Sequence, residues 1–330
     1  MKSLGFWTGI VTMLMACAPL QHAQAQTQGV PAIGAQQMRV LYPYAPGNTG
    51  DAMARVIADS LQHGLGRSVI VENRVGAGGR TASIATKTST PDGTTLLIST
   101  NGPMVLFPAM YPQLEYDPVK NFLPVTMIAT VDLGFAIGPG VPVKSLAELV
   151  TWTKANPDKG SYGSPGPGTM PHFFAIKFAQ EAGLDLRHVA YRGSALALTD
   201  LTAGQLPMLS TTTADLIEQH KAGKLRVLAT AGLKRTPDLP DVPTFKEAGY
   251  DVEGVSWFAL FAPAGTPQPI VQQIEKVVTT ALASKEVRDR LRAMGFTASG
   301  ISGAEMAKVQ KQDLVYWAPI VKASGFKPAD

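Results

Sequence analysis

Short apolar runs alternate with amphipathic stretches through most of the chain. Apolar runs bounded by Gly, Pro, Asn or Asp are typical of buried strands, whereas apolar residues at helical spacing are typical of helices. The pattern predicts strands over 38–42, 68–72, 95–99, 160–163, 188–191, 206–210 and 225–230. It predicts helices over 51–64, 81–88, 146–154, 172–182, 195–203, 214–222, 270–283, 285–294 and 303–321. The alternation indicates an α/β fold in which mostly parallel strands carry helices on their faces.

The first 25 residues have the pattern of a secretory signal peptide. Lys2 supplies the positive charge, residues 4–16 form a short apolar segment, and Ala23-Gln24-Ala25 is a small-x-small cleavage site. The apolar segment is shorter than the roughly 20 residues that span a bilayer. We therefore expect a signal peptide over 1–25, a flexible leader over 26–37 and export to the periplasm. A short disordered N-terminus is the alternative.

Cys17 is the one cysteine of the chain. It follows Leu14-Met15-Ala16, which resembles a lipobox, so a lipid anchor at Cys17 is an alternative to cleavage after Ala25. Met15 is unusual at its position in such a motif, and we favour the soluble form. Cleavage after Ala25 leaves a chain without cysteine, and hence without a disulfide or a zinc site built on thiolates.

Length and charge narrow the class of protein further. A chain of 330 residues is longer than a single hydrophobic core usually supports, so two lobes are expected. The formal net charge is +4, without a basic run or a stripe of Lys and Arg among aromatic residues. This charge distribution disfavours nucleic acid as a partner and is compatible with a small anionic ligand. Nucleophile-elbow, phosphate-loop and metal-ligand motifs are missing, so we expect no enzyme, no cofactor and no metal site.

A glycine-rich loop over 43–51 joins the first predicted strand to the first predicted helix. Free backbone N–H groups at a helix N-terminus bind anions without needing a charged side chain. Gly47 and Gly50 allow a ligand to approach the backbone, and Asp51 lies near the helix start, where its charge also stabilises the helix dipole. A plain turn with a capping Asp51 is the alternative, and for this loop taken alone we favour it.

A second glycine-rich loop, over 164–172, has the same position between a strand and a helix. Ser164, Gly166, Gly168 and Thr169 offer small donors and exposed amides, and His172 lies on the first helical turn. His172 either orients the loop or donates to an anion, and a capping or packing histidine is an equally good interpretation. Two such loops in one chain suggest a carboxylate or phosphate clamped between two lobes.

Further candidate ligand residues follow other strands. In open α/β sheets, ligands bind at the carboxyl ends of the strands, where Asn101, Arg192, Thr211 and Thr212 are expected. Arg192 either faces the ligand or is a solvated surface charge. The surface is favoured for Arg192, because most Arg side chains stay solvated.

Short motifs recur in a fixed order over 42–55, 71–79, 91–97, 116–122, 163–172, 188–193, 199–201, 239–244 and 262–267. They include VENRVGAGG over 71–79 and PDGTTLL over 91–97. From about residue 38 to the C-terminus the chain resembles the periplasmic solute receptors of tripartite tricarboxylate transporters, the TctC-like or Bug-type proteins. The resemblance implies a two-lobed, type II-like periplasmic-binding-protein fold with Venus-flytrap closure. It places one lobe over 38–125 and 252–330 and the other over 126–251, joined by crossover strands.

The resemblance also implies a ligand site and a partner. Such receptors hold a ligand carboxylate through backbone amides and ordered waters of the two glycine-rich loops. Carried over to this chain, one side of the cleft comprises Tyr44, Ala45, Pro46, Gly47, Asn48 and Asp51. The other side and the remaining ligand residues are Ser164, Gly166, Gly168, Thr169, His172, Asn101, Arg192, Thr211 and Thr212. The expected partner is the membrane permease of the transporter, and the receptor is expected to be a monomer.

Two departures from the family's common pattern bear on the ligand. The first loop often reads Pro-Gly-Gly-x-x-Asp, whereas here it is PGNTGD over 46–51. The strand end that often carries an Asp is here STT over 210–212. Because that Asp would suit an amino group, we predict a carboxylate, aliphatic or aromatic and with one or more carboxyl groups, over an amino acid. An orphan carboxylate sensor is an alternative function, and a secreted hydrolase with His172 as base is a remote one.

Overall fold

The computed structural model describes residues 32–327, which form a β-sheet flanked by helices. The predicted signal peptide, its cleavage site and Cys17 lie outside the described residues. The strands are β1 (Met38–Tyr42), β2 (Val69–Asn73), β3 (Thr95–Thr100), β4 (Phe122–Ile137), β5 (Ser161–Ser164), β6 (Arg187–Ala190), β7 (Met208–Thr212), β8 (Arg226–Thr230), β9 (Val255–Pro263) and β10 (Thr297–Ala298). The helices are α1 (Thr49–Leu65), α2 (Arg80–Lys87), α3 (Phe107–Met110), α4 (Leu146–Ala155), α5 (Met170–Ala182), α6 (Ser194–Thr202), α7 (Thr213–Lys221), α8 (Gln268–Ala283), α9 (Lys285–Ala293) and α10 (Gly303–Ala323).

The sheet is mixed, with parallel strands at both ends and antiparallel pairs in the middle. Its strand order is β2-β1-β3-β9-β4-β7-β5-β6, and β8 and β10 each pair with β4. β1 runs parallel to β2 and β3, and β5 runs parallel to β6 and β7. The pairs β3–β9, β9–β4 and β4–β7 are antiparallel. The α/β class predicted from the strand–helix alternation is confirmed.

β4 is the strand that links the two groups of parallel strands. Residues 122–132 of β4 pair with β9, and residues 133–137 pair with β7 and β8. The hydrophobic pattern predicts neither β4 nor β9, and only the family resemblance implies crossover strands. Pro124 and Gly134 interrupt the apolar run of β4, and such residues are turn signals in a sequence.

The predicted helices begin within two residues of their predicted starts. α1 begins at Thr49, where the Asn48 side chain accepts a hydrogen bond from the Asp51 amide at 2.8 Å. α5 begins at Met170, and Gly183 ends it in the left-handed conformation with φ 60°. These starts place the two glycine-rich loops at the carboxyl ends of β1 and β5. Within the described part of the chain, no helix has both the length and the apolarity needed to cross a membrane.

The apolar face of α1 shows how the helices are held on the sheet. Met53, Val56, Ile57 and Leu61 are at most 1% exposed and pack in one cluster with residues of β1, β3 and α8. Complete burial of one such side chain contributes about 2 kcal/mol. The helix is thereby fixed with its N-terminus beside the end of β1.

Candidate functional site

A cavity of about 770 Å³ lies where the carboxyl ends of the parallel strands meet. The loops that follow β1, β2, β3 and β5 contribute to its wall, as does the last residue of β7. The lining residues are Tyr44, Ala77, Gly78, Arg80, Thr100, Asn101, Gly102, Phe107, Met110, Tyr111, Val131, Pro165, Pro167, Gly168, Thr169, Met170, Pro171, Thr212, Ser256, Phe258 and Phe326. Both groups of parallel strands therefore face one cavity, at the edge where open α/β sheets bind ligands.

The structure brings part of the predicted site into this wall. The predicted residues that line it are Tyr44, Asn101, Gly168, Thr169 and Thr212. The predicted residues outside it are Ala45, Pro46, Gly47, Asn48, Asp51, Ser164, Gly166, His172, Arg192 and Thr211. Several of the second set hold members of the first set in place.

Tyr44 is the residue of the first loop that reaches the cavity. Its hydroxyl lies 2.9 Å from Thr100 Oγ1, and its ring packs edge-on against Tyr42. Burial raises the pKa of the Tyr44 hydroxyl, which therefore stays neutral. The residues that follow, 45–49, are exposed, and Gly47 adopts φ 86° with open space around it. The backbone of this loop is thus accessible but outside the cavity wall.

Asp51 holds the first loop in place through hydrogen bonds to its carboxylate. It is 3% exposed, and its Oδ2 accepts hydrogen bonds from the Gly47 amide at 3.0 Å and from Arg55 Nε at 3.1 Å. Its Oδ1 accepts from Asn73 Nδ2 at 2.9 Å. Burial pushes the pKa of Asp51 up, but the bonds from Asn73, Gly47 and Arg55 outweigh it and hold the pKa below its ordinary value. The Asp51 charge is therefore fully engaged in joining the loop to α1 and to the end of β2.

The second loop is held by bonds within itself. Ser164 Oγ donates to the Gly166 carbonyl at 3.0 Å, and Thr169 Oγ1 donates to the same oxygen at 2.7 Å. Gly168 adopts φ 75°, and its amide donates to His172 Nδ1 at 3.0 Å. These bonds turn the chain into α5 so that Gly168, Thr169 and the first residues of the helix line the cavity.

His172 orients this loop, which is one of the roles that its position in the sequence suggests. Its side chain is buried, and its ring stacks on His188 with centroids 4.0 Å apart. Burial, together with the neighbouring His188, lowers the pKa of His172 to about 3. The ring is therefore neutral near pH 7, and its Nδ1 is free to accept the Gly168 hydrogen bond.

We expect this buried histidine to make stability depend on pH. Between pH 6.5 and about 3 the unfolded chain binds a proton that folded His172 does not. Stability is therefore full above pH 6.5 and falls on acidification through this window, by up to about 1.4 kcal/mol per pH unit. His172→Asn keeps an acceptor for the Gly168 amide and should flatten the slope, as measured by urea unfolding at several pH values. His63→Asn, at an exposed histidine, is the control, and an equal flattening in both variants would contradict the assignment.

Ser164 and His188 are the closest approach to a catalytic pair at the site. Ser164 Oγ lies 2.8 Å from His188 Nε2, but Ser164 is fully buried and already donates to the Gly166 carbonyl. Neither residue lines the cavity. In residues 32–327 no three His, Cys, Asp or Glu side chains lie together as a metal site. The arrangement favours a structural role for the pair.

Asn101 and Thr212 line the cavity, and their polar groups are already hydrogen-bonded to other residues of the protein. Asn101 Oδ1 accepts from the Trp257 amide at 2.7 Å, and Asn101 Nδ2 donates to Asp313 Oδ2 at 3.3 Å. Thr211 Oγ1 and Thr212 Oγ1 both donate to Asp215 Oδ2, at 2.7 and 2.9 Å. These residues therefore shape the wall and tie it to α7, β9 and α10. Arg192 is exposed and lies outside the wall.

Arg80 is a lining residue that the sequence interpretation does not include. Its guanidinium carbon lies 4.1 Å from the centre of the Tyr111 ring, a cation–π arrangement. Its Nε is buried without a hydrogen-bond partner in the described residues. The signal in the sequence is the third glycine-rich loop, 76–79, which leads directly into α2 at Arg80.

Apolar side chains complete the wall. They are Phe107, Met110, Tyr111, Val131, Phe258 and Phe326. Phe326 follows α10 and packs edge-on against His172 and Phe173, with ring centroids 5.2 and 5.8 Å away. The cavity is therefore apolar over much of its surface, and Arg80 is the one charged side chain that the described residues contribute to its wall.

Comparison with known proteins connects this geometry to one family. Residues 53–326 match the family model described as the tripartite tricarboxylate transporter family receptor, TctC. The protein BugT of Bordetella pertussis is 31% identical over 295 residues, which cover 89% of this chain and 90% of that protein.

Solved structures agree with the sequence comparison. R. palustris Rpa4515, solved with adipate, has a TM-score of 0.78 and 31% identity and covers 89% of this chain and 99% of its own. MatC from Rhodopseudomonas palustris, solved with bound malate, has a TM-score of 0.74 and 28% identity and covers 87% of this chain and 99% of its own.

Proposed function

Since the chain belongs to the TctC family of tripartite tricarboxylate transporter receptors, we propose that it captures a small carboxylate in this cavity and delivers it to the membrane permease of such a transporter. The observation that carries the proposal is the start of α5, where unpaired backbone amides border an apolar cavity. Receptors of this family are periplasmic, and the similar solved structures include periplasmic binding proteins rather than enzymes.

The amides of Thr169 and Met170 are the proposed donors to the ligand carboxylate. The neighbouring Gly168 amide already donates to His172, whereas those of Thr169 and Met170 have no acceptor within residues 32–327. They lie at the N-terminus of a 13-residue helix, where the helix dipole favours an anion. The adipate and malate bound to the two structural neighbours are also carboxylates.

The proposed ligand is an acid without an amino group. At the end of β7, the hydroxyls of Thr211 and Thr212 donate to Asp215, which does not line the cavity. No carboxylate of the described residues appears among the lining side chains. An ammonium group would therefore lose its water shell without gaining a partner, and the cost of burying an unpaired charge disfavours it.

Closure of two lobes on the ligand is part of the proposal. The lobes are residues 38–125 with 252–330, and residues 126–251. The pairing partner of β4 changes from β9 to β7 and β8 after residue 132, which supports a boundary within that strand, a few residues beyond 125. Closure would bring the exposed residues 45–49, with Gly47, Asn48 and the α1 amides, to the ligand that α5 already holds.

Export and partner follow from the family. We propose a signal peptide cleaved after Ala25, with lipidation of Cys17 as the alternative, and a monomeric receptor. An orphan sensor with the same cavity is the second candidate, and permease genes beside this one would favour transport. The hydrolase alternative has His172 as its base, and the burial of His172 and its place outside the cavity wall give that alternative no support.

We expect the mature protein to bind carboxylates in a thermal-shift and calorimetry panel. A ligand at a hundredfold excess over its dissociation constant stabilises the native state by about 2.7 kcal/mol. Aspartate and glutamate, which carry amino groups, should give no shift, while at least one unsubstituted acid should. X-ray scattering at saturation should show a smaller radius of gyration if the lobes close. Binding of the amino acids alone, or of none of the acids, would contradict the proposal.

A further inference from the structure

The Arg80 side chain is placed to bind an anion that the protein itself does not supply. The ion pairs of residues 32–327 leave out Arg80. Its Nε is buried and has no hydrogen-bond partner among the described residues. Its two terminal amino groups are not fully buried, and they too make no hydrogen bond to the described residues. Arg80 also lines the cavity. A guanidinium with two free terminal amino groups matches the two oxygens of a carboxylate.

The backbone beneath Arg80 is rigid. Gly76, Ala77, Gly78 and Gly79 all have positive φ, at 146°, 45°, 66° and 109°. A Cβ at Gly78 would lie 2.9 Å from Phe107 Cζ, and a Cβ at Gly79 would lie 2.8 Å from Pro103 Cγ, so the loop is packed tightly against its neighbours. Together with the stacking on Tyr111, this packing holds the guanidinium ready for a ligand, which lowers the entropic cost of binding.

The rest of the wall favours an apolar ligand body. Thr100, Asn101, Thr169 and Thr212 are each hydrogen-bonded to another part of the protein. A hydroxyl on the ligand would compete with these bonds. The phenyl rings and the two methionine side chains of the wall instead offer contact to methylene groups or to an aromatic ring.

We propose that Arg80 binds a second carboxylate of the ligand, so that the cavity takes dicarboxylates whose two acid groups are joined by an unsubstituted aliphatic or aromatic body. This inference rests on the proposed receptor function, in which the start of α5 holds the first carboxylate. Arg80 is then the residue that discriminates a diacid from the corresponding monoacid.

The test compares matched acids by titration calorimetry. The probes are adipate against hexanoate and terephthalate against benzoate, with malate as a hydroxylated diacid. Wild type should bind the better diacid at least about tenfold more tightly than its monoacid. Arg80→Gln should reduce that ratio to about one, chiefly by weakening the diacid, and Arg80→Lys should give an intermediate ratio because an ammonium lacks the planar fork. Malate should bind more weakly than adipate.

The control is Arg290→Gln, which removes the same charge from an exposed position on α9. It should leave the diacid-to-monoacid ratio unchanged, which excludes a general effect of net charge. Urea unfolding shows whether each variant is folded. If Arg80→Gln is not folded, the comparison is made with Arg80→Lys. If wild type binds a diacid and the folded Arg80 variants keep the wild-type ratio of diacid to monoacid affinity, Arg80 does not bind the second carboxylate. The proposed receptor function is then unaffected. If wild type binds none of the probes, the proposed function fails and this inference with it.

Discussion

Gly168→Val is expected to weaken carboxylate binding at least about hundredfold, equivalent to ~2.7 kcal/mol, while leaving most of the protein folded. Gly168 adopts φ 75°, a conformation that a β-branched residue avoids. Its new Cβ would lie 2.7 Å from Met110 Cε and 3.2 Å from Phe326 Cε1. Met110 Cε ends a flexible side chain and can move aside, so the positive φ is the main source of strain. Relief of that strain should shift the hydrogen bond to His172 and the amides of Thr169 and Met170. Calorimetry with the acid that binds wild type best measures the loss.

Gly183→Val separates this local effect from backbone strain. Gly183 also has a positive φ, 60°, but it ends α5 and has open space around it. The variant should lose about 1–2 kcal/mol of stability through the left-handed conformation, and its affinity should stay within about threefold of wild type. Equal loss of affinity in both variants would mean that α5 as a whole, rather than its first amides, matters for binding. Unchanged affinity in Gly168→Val would remove the loop from the site.

Local sequence signals locate the two glycine-rich loops well. Apolar runs and capping residues depend on neighbours in sequence, so the starts of α1 and α5 fall within two residues of the predicted positions. The parallel strands then bring both loops to the same edge of the sheet. Asn48, rather than Asp51, is the capping residue of α1, and Asp51 lies in the first turn of the helix, where its side chain accepts a hydrogen bond from the Gly47 amide.

Other parts of the site depend on contacts between residues distant in the chain. Arg80 stacks on Tyr111, and Asn101 is hydrogen-bonded to Trp257 and Asp313. A local sequence pattern does not predict such contacts. Phe326 reaches the cavity because α10, which precedes it, packs against residues 102–106 after β3 and against β4. Sequence spacing therefore predicts which backbone segments border the site more readily than which side chains complete it.

Asp51→Ala is expected to destabilise the protein by about 2–4 kcal/mol. The substitution removes four hydrogen bonds to a carboxylate, one each from Gly47 and Asn73 and two from Arg55. Bonds to charged groups are worth more than neutral ones, and the Asn73 amide at the end of β2 keeps only the Tyr44 carbonyl as an acceptor. Urea unfolding at pH 7 measures the loss, and Asp59→Ala, an exposed position on the same helix, should stay within about 0.5 kcal/mol of wild type.

The acid limb of the stability curve gives an independent check on Asp51. Because its folded pKa is held below the ordinary value of 3.8, its contribution is complete above that pH and is lost as the pH falls through the folded value. Asp51→Ala should lack this loss, whereas the loss between pH 6.5 and about 3 that His172 causes should remain. A wild-type acid limb in Asp51→Ala would show that the carboxylate is not held by these bonds. The same bonds fix the loop over 45–50. If Asp51→Ala lacks the acid-induced loss of stability and also binds the ligand more weakly than wild type, that loop contributes to ligand binding.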